Sequence, residues 1–486
     1  MPPDTVAIGL EVHARVKTRS KAFCSCPVAE HAAPNASTCP ICLGLPGTLP
    51  ILNRALVEAG IRTGLAMSCT IHARSWFSRK YYFYPDLPKG FQISQHTHPL
   101  CTGGYLLFRN GSNRIRELPL RRIHMEEDAG KLLHEKDRTL IDFNRAGVPL
   151  LEIVTTPSLR NPDDAVHAFK ALRQLLMYLD VCDGKMEQGA LRCDVNVSLD
   201  PLGSERTEIK NLNSFRAMEE ALQWEISRQM NMRAKGEELF STTMQWDADA
   251  GRCNVMRAKE AEFEYRFALE PDLPPIDVSE EMLQSIRASL PETPLHREER
   301  FRSCFGLSQT DVLSLTAERE VADYYEQVLD ALDVHTVDIR QSTAHWVLGD
   351  VRRILHERTI GIEQFPCAPA RLAVLIGMVY DEELSVTAAR NVFECMLAEN
   401  CEASAAAKKL GVTRMMHESE IAPIIDQVVT AHSEQAMSWL SGKERALNFL
   451  MGKVMRGSGA AVPPAKARSM LISAIRKHYQ REGNDS

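Results

Sequence analysis

The sequence predicts an α+β fold: a strand-rich domain over 1–292, an all-helical domain over 293–408 and a small helical tail over 409–486. Three observations predict it. Apolar runs that alternate with period two recur through the first part. Prolines then crowd 270–295, in "EPDLPPIDV" and "LPETPLH", which marks a linker. Beyond that linker the apolar spacing is helical almost throughout.

Taken in order, "VAIGLEVHARV" (6–16) opens as an apolar run, with polar residues entering at every second position towards its end. "YLLFRNGSNRIREL" carries Asn110-Gly111 between two strand-like runs, a hairpin signal. One helix stands out among the strands. Asn161 caps it, Pro162 fills its first turn, and Asp163 and Asp164 sit at the positive end of its dipole. Val166, Phe169, Leu172, Leu176 and Leu179 form its apolar stripe. "LRCDVNVSL" (191–199) sorts Cys193, Val195, Val197 and Leu199 to one face, and Arg192, Asp194, Asn196 and Ser198 to the other. A second break falls near "NCEASAAAKKLGV" (400–412), and Gly457, Gly459, Pro463 and Pro464 punctuate the last helices.

At 486 residues, 44% hydrophobic and 25% charged, the chain has ample core and room for roughly two to four domains. The start, "MPPDTVAIGL", lacks a basic n-region, so a secretory signal is not expected. The most apolar run, "LAVLIGMVY" (372–380), falls well short of the roughly 20 residues a membrane span needs. Thirteen cysteines, mostly scattered, fit a reducing cytoplasm better than a disulfide framework. The net charge of −7 gives no global signal for nucleic acid. The end of the chain differs. From 441 on, Lys443, Arg445, Lys453, Arg456, Lys466, Arg468, Arg476, Lys477 and Arg481 face only Glu444, Glu482 and Asp485. That suits either a solvated helical face or an RNA-binding surface.

Four cysteines do not scatter: Cys24 and Cys26 form C-x-C, and Cys39 and Cys42 form C-P-x-C ahead of "LGLPG". Four thiolates at knuckle spacings suit a tetrahedral zinc, against the plainer reading of four incidental buried cysteines. With every position filled by cysteine, such a zinc has no open site and is structural.

The carboxylates are stranger. "HMEEDAGK" (124–131) sets Glu126, Glu127 and Asp128 beside a histidine among residues that argue for burial. Glu11 and His13 are two apart on one strand; Glu152 lies inside "PLLEIV"; Asp194 and the pair Glu208 and Lys210 sit on polar strand faces. A buried carboxylate without a partner costs several kcal/mol. Either Arg192, Lys210 and Lys131 pair with these groups, or the strands build a negative cavity for magnesium. Alternation groups His124, Glu126 and Asp128 and leaves Glu127 on the apolar side with Met125, so Glu127 is the foremost candidate for an inward ligand. No Walker A pattern occurs.

Longer runs carry a resemblance. "IGLEVHARVKT", "CPICLGLPG", "KYYFYPDLPKGFQISQ", "HMEEDAGK", "LIDFNRAGVPLLEIV", "GALRCDVNVSL", "EIKNLNSFRAMEEAL", "EPDLPP" and "GKERALNFLMGKVMRGSG" span Ile8 to beyond Gly459. In these the chain resembles the GatB family, the B subunits of the bacterial and organellar aspartyl/glutamyl-tRNA amidotransferases. The resemblance implies a cradle of antiparallel strands similar to glutamine synthetase, then a helical domain and a helical tail that helps bind tRNA. It implies that ATP and magnesium phosphorylate the side-chain carboxylate of Glu mischarged on tRNA-Gln, or of Asp on tRNA-Asn. Ammonia then displaces phosphate. It would come by tunnel from an amidase-type glutaminase, the largest partner in a heterotrimer that a third, small subunit clamps together.

Carried over residue by residue, the resemblance makes Glu11, His13, Glu127, Glu152, Asp194 and Glu208 metal and phosphoryl-transfer positions, with Glu126 close by. Lys443, Arg445, Lys453 and Arg456 become tRNA contacts in the tail. The chain departs from the family at "STTM" (241–244), where Q-E-T-R is usual, at "YRFAL" (265–269), where Y-R-Y-F-P is usual, and at "GSGAAVPP" in the tail. Those departures bear on tRNA contact rather than on the carboxylates. A non-catalytic zinc-knuckle protein for RNA binding or assembly is the competing reading, and a stand-alone amide ligase for a small acid is a second. The first has no need of buried carboxylates, and the second leaves the basic tail without purpose.

Overall fold

The computed structural model describes every residue except 1–5, 30–31, 200–204, 259–265, 412–417, 459–461, 463 and 482–486. Gly459, Pro463 and Tyr265 of the sequence reading therefore lie outside the described residues. The chain divides into two compact units, Met1–Arg297 and Glu298–Ser486.

The first unit is built on one large sheet. Its strands run in the order Arg252–Ala258, Thr242–Asp247, Thr207–Lys210, Leu191–Ser198, Ala7–Arg15, Pro149–Thr155, Ile115–Glu127, Cys101–Thr102 and Thr70–Ile71. Tyr105–Arg109 also pairs with Ile115–Glu127, making the hairpin that Asn110-Gly111 signalled. The tip turns at Asn113, whose φ is +62°, rather than at the glycine. One face of the sheet is apolar. Leu10, Val12, Ile123, Met125, Leu151, Ile153, Cys193, Val195 and Ile209 share a core with Leu56, Ile61, Phe169, Leu172, Leu176, Met218 and Leu222. Those last seven come from three helices, Arg54–Ala66, Pro162–Tyr178 and Phe215–Lys235. The sequence singled out only the middle one, whose Asn161 side chain accepts from the Asp164 amide.

Two expectations need correction. The sheet is not antiparallel throughout: Thr207–Lys210 and Thr242–Asp247 run parallel. The helix Phe215–Lys235 lies between them in sequence and supplies the long crossover a parallel pair demands. Nor is the proline-rich stretch after 268 a free linker. Ala268–Leu269 pairs with Ser78–Tyr81, Ile276–Asp277 pairs with Arg74–Ser75, and buried Glu270 takes a bidentate pair from Arg79. Prolines there fix extended backbone at sheet edges, which they tolerate.

The second unit is helical, with two separate cores. One gathers Phe301, Val312, Tyr325, Val328, Leu372, Ile376 and Phe393; the other gathers Ile421, Ile425, Leu447, Leu450, Leu471 and Ile475. No helix among the described residues is long and apolar enough to cross a membrane.

Candidate functional site

Strand register decides which polar side chains meet. Across the centre of the sheet Arg192, His13, Glu152 and His124 stand directly opposite one another in a single row. The next row on that face holds Lys210, Asp194 and Glu11, and a third holds Thr243, Glu208 and Asn196. Glu126 projects from the same face two residues beyond His124. Because side chains two apart share a face, the apolar residues between them anchor each strand to the helices while these line the opposite side. They border a cavity of about 340 Å³, whose wall also carries Lys80, Arg122, Arg206, His96 and Phe267.

The contacts are close. His124 Nε2 lies 3.0 Å from Glu152 Oε2, and His13 Nε2 lies 3.5 Å from Glu126 Oε1 and 3.7 Å from Glu152 Oε2. Lys210 Nζ bridges Asp194 at 2.6 Å and Glu208 at 3.0 Å, and Thr243 donates to Glu208 at 3.1 Å. His124, Glu126, Glu152 and Glu208 are all buried.

Charge is unevenly shared in this cluster. Burial first, then the carboxylates of Glu152, Glu208 and Asp194, push Glu11 up to about 8. Burial and then Glu152 likewise hold Glu126 well above the carboxylate range. Glu152 is buried too, but the charge and hydrogen bond of His124, with His13 and Lys80, outweigh burial and keep it well below that range. Burial lowers His13 despite Glu152 and Asp194. The protein thus tolerates one ionised carboxylate beside the histidines and resists the next two.

That resistance has a measurable consequence. A carboxyl raised in the fold favours folding while protonated, and the advantage is lost as pH rises through its folded value. His13, lowered from 6.5, works the other way at acid pH, and so does Cys42, lowered to about 4. Both contributions cancel in a difference between variants. Metal-free Glu11→Gln should therefore melt higher than the parent by a margin that grows from about pH 6.5 to about pH 8. Thermal melts in chelator would show a pH-independent margin if Glu11 were an ordinary exposed carboxylate.

The donor set can be tested for fit to a metal. Ligand atoms of Glu11, His13 and Glu152 lie within 4.8 Å of one another, as do those of His124, Glu126 and Glu152. Buried His124 Nδ1 has no hydrogen-bond partner. Oxygen-rich, thiolate-free and over-charged, the cluster suits a hard divalent cation such as magnesium.

Glu127 is not part of it. It points with Met125 to the helix-covered face, where Lys89 pairs with it and the Ile93 amide donates to it at 2.9 Å. There it borders a different cavity of about 240 Å³, shared with Lys21, Cys42 and Arg79. Alternation had set Glu127 apart from its neighbours; the partner that explains it, Lys89, lies 38 residues away in sequence. His124 was the residue overlooked as a ligand, and its spacing of two from Glu126 was the available signal. Asp128 is neutralised by Arg192 at 3.0 Å and Arg145 at 3.6 Å.

Sulfur atoms of Cys24, Cys26, Cys39 and Cys42 also lie within 4.8 Å of one another, and all but Cys39 are buried. Thiol donation from Cys24, the Cys39 amide at 3.2 Å and the Lys21 ammonium at 3.6 Å hold Cys42 far below an ordinary thiol. A pocket that already favours thiolate is chemically ready for zinc.

In the tail, Arg445, Phe449, Lys453 and Arg456 fall on one stripe of the helix Glu444–Gly457, and Lys443 caps it. Phe449 is exposed, with Lys453 Nζ 5.4 Å from its ring centre.

Comparison with known proteins accords with this picture. A family profile described as "GatB/GatE catalytic domain" matches residues 6–284, and one described as "GatB domain" matches 323–475. The aspartyl/glutamyl-tRNA(Asn/Gln) amidotransferase B subunits of Moorella thermoacetica and Geobacter sulfurreducens are each 42% identical, over 96% of this chain and 98% of theirs. That of Thermoanaerobacter pseudethanolicus is 40% identical over 97% and 99%. The match runs through both units and covers every carboxylate of the cavity, and the chain belongs to the GatB family of amidotransferase subunits.

Proposed function

We propose that the protein carries out the ATP-dependent step of tRNA-bound amide synthesis. The γ-phosphoryl group of ATP passes to the side-chain carboxylate of Glu on tRNA-Gln, or of Asp on tRNA-Asn, giving ADP and an acyl phosphate. Ammonia attacks the acyl carbon and expels inorganic phosphate, leaving Gln-tRNA or Asn-tRNA. An amidase-type glutaminase, held in place by a third, small subunit, supplies the ammonia, and the complex works in the cytoplasm. The single observation behind this is the register that stacks Glu11, His13, Glu126, Glu152, Asp194 and Glu208 on one sheet face around the cavity.

In this reading Glu11, His13, Glu126, Glu152 and His124 hold magnesium, with Asp194 and Glu208 behind them. Bound there, the cation neutralises the phosphate oxygens and the attacking carboxylate, which otherwise repel each other. Lys80, Arg206 and Lys210 on the cavity wall face the phosphates. A sheet-floored cavity keeps water from the acyl phosphate, much as in glutamine synthetase, to which we liken the cradle. Glu127 is assigned to Lys89 rather than to the metal, and zinc on the four cysteines is structural. ATP hydrolysis by the purified complex, with and without misacylated tRNA, tests the reading: turnover indifferent to that tRNA would exclude it.

Residues 409–486 are assigned to tRNA. A basic stripe interleaved with an exposed aromatic suits backbone contact with stacking of an unpaired base. Replacing Arg445, Lys453 and Arg456 together by Ala removes about three phosphate contacts. Affinity for tRNA should then fall with a salt slope shallower by about 2–3, while glutamine hydrolysis by the partner persists. Unchanged affinity and slope in a filter-binding titration would give the tail another role.

A further inference from the structure

A second group of metal-type donors lies outside both sites, at the end of the helix Val386–Glu399. Cys395 and Glu399 are four apart on one helical face. Asn400 then takes the left-handed conformation, with φ +49°, and turns the chain back so that Cys401 returns to that face. The two sulfurs and a Glu399 carboxylate oxygen lie within 4.8 Å of one another. The turn is held from outside the cluster. Arg371 donates to the Asn400 side chain at 2.8 Å and to the Cys401 carbonyl, and its guanidinium lies 3.2 Å from Glu402. Lys409, on the next helix Ala403–Lys409, sets its ammonium against Glu399, so the cluster already draws one cation. Both cysteines are half-buried and Glu399 is exposed, which leaves an entry path.

We propose that Cys395, Glu399 and Cys401 form a binding site for a thiophilic divalent cation, zinc above all. Two sulfurs and one carboxylate fill three tetrahedral positions and leave the fourth to water. Binding releases the two thiol protons and frees Lys409 from Glu399 to solvent. The ion would then staple the helix end, the turn and the start of the following helix into one rigid piece.

The test uses the full-length protein in a non-thiol reductant, loaded with zinc, freed of loose metal and assayed for zinc per chain. Cys395→Ser with Cys401→Ser leaves the four-cysteine knuckle untouched, so the difference from the parent reads this site alone. One zinc fewer in the double variant is expected, together with weaker cobalt-to-thiolate absorption on cobalt loading. Lys409→Ala, which removes the competing ammonium, should tighten binding several-fold. Because Lys409→Ala keeps all three donors, it serves even if the double serine variant folds poorly. Equal zinc content in parent and double variant, with affinity unmoved by Lys409→Ala, overturns the proposal. So does a Cys395–Cys401 disulfide in the unreduced protein with no metal difference after reduction.

Discussion

Glu152→Gln is expected to lower amidation of misacylated tRNA by about 10²–10³-fold, with tRNA affinity unchanged and with ammonium unable to restore it. Glu152 is the one carboxylate both metal-type trios share, and the one the surrounding histidines keep ionised. The substitution preserves volume and hydrogen bonding but removes the charge that matters most when a phosphoryl group is in flight. The loss precedes ammonia's arrival, so the glutaminase partner is irrelevant to it. Two companion variants sharpen the reading. Glu126→Gln should cost similar activity yet raise the metal-free melting temperature, since the fold resists ionising Glu126. Glu127→Gln should do the reverse. It strands the Lys89 ammonium, only 12% exposed, in a buried site, which typically costs about 3–5 kcal/mol. Its activity should then track the folded fraction rather than the chemical step. If Glu152→Gln amidates at the parent rate in saturating magnesium and ATP, these carboxylates are structural ion pairs.

Much of this architecture could be read from residue order, and the rest depended on partners far away in sequence. Alternation in "LRCDVNVSL" put Asp194 on the polar face and Cys193 in the core because a sheet with one covered face enforces period two. The same rule grouped His124 with Glu126. What it could not supply was the identity of the neighbouring strands. Only the register places Glu152 opposite both His13 and His124, residues 139 and 28 positions away. Glu127 misled for that reason: a carboxylate on an apolar face looks like a ligand until Lys89 is found beside it. The prolines after 270 misled differently, since extended backbone that pairs with Arg74–Ser75 has the same composition as a linker. The helices Arg54–Ala66 and Phe215–Lys235 were missed because their partners in the core supply the apolar contacts. Phe215–Lys235 buries only Met218, Ala221 and Leu222 among its apolar residues, too sparse a stripe to announce itself.

The largest expected effect on stability is removal of zinc from the knuckle. Cys24, Cys26 and Cys42, with Cys39 and Ile41 against them, form a small cluster separate from the main core. So few apolar side chains cannot hold residues 20–51 in place, and metal–sulfur bonds take over that task. What the knuckle holds matters to the rest of the unit. Lys21, fully buried, reaches Cys42 and the Phe143 carbonyl, and the Ala22 amide bonds to Gly147 at 2.8 Å. A Cβ on Gly44, whose φ is +65°, would stand 2.6 Å from the Lys89 side chain, so the knuckle turn also packs on the residue that neutralises Glu127. Cys42→Ser should lower the melting temperature of the first unit by on the order of 10 °C, a loss of several kcal/mol. The second unit's transition should not move. Strong chelation of the parent protein should reproduce the shift. Activity should fall in step with the folded fraction, with no change in KM for ATP, because the sulfurs and the carboxylate cavity lie on opposite faces of the sheet. A parent protein that melts identically with and without chelator, its four thiols freely titratable, would show that these cysteines hold no zinc and that packing alone closes the knuckle.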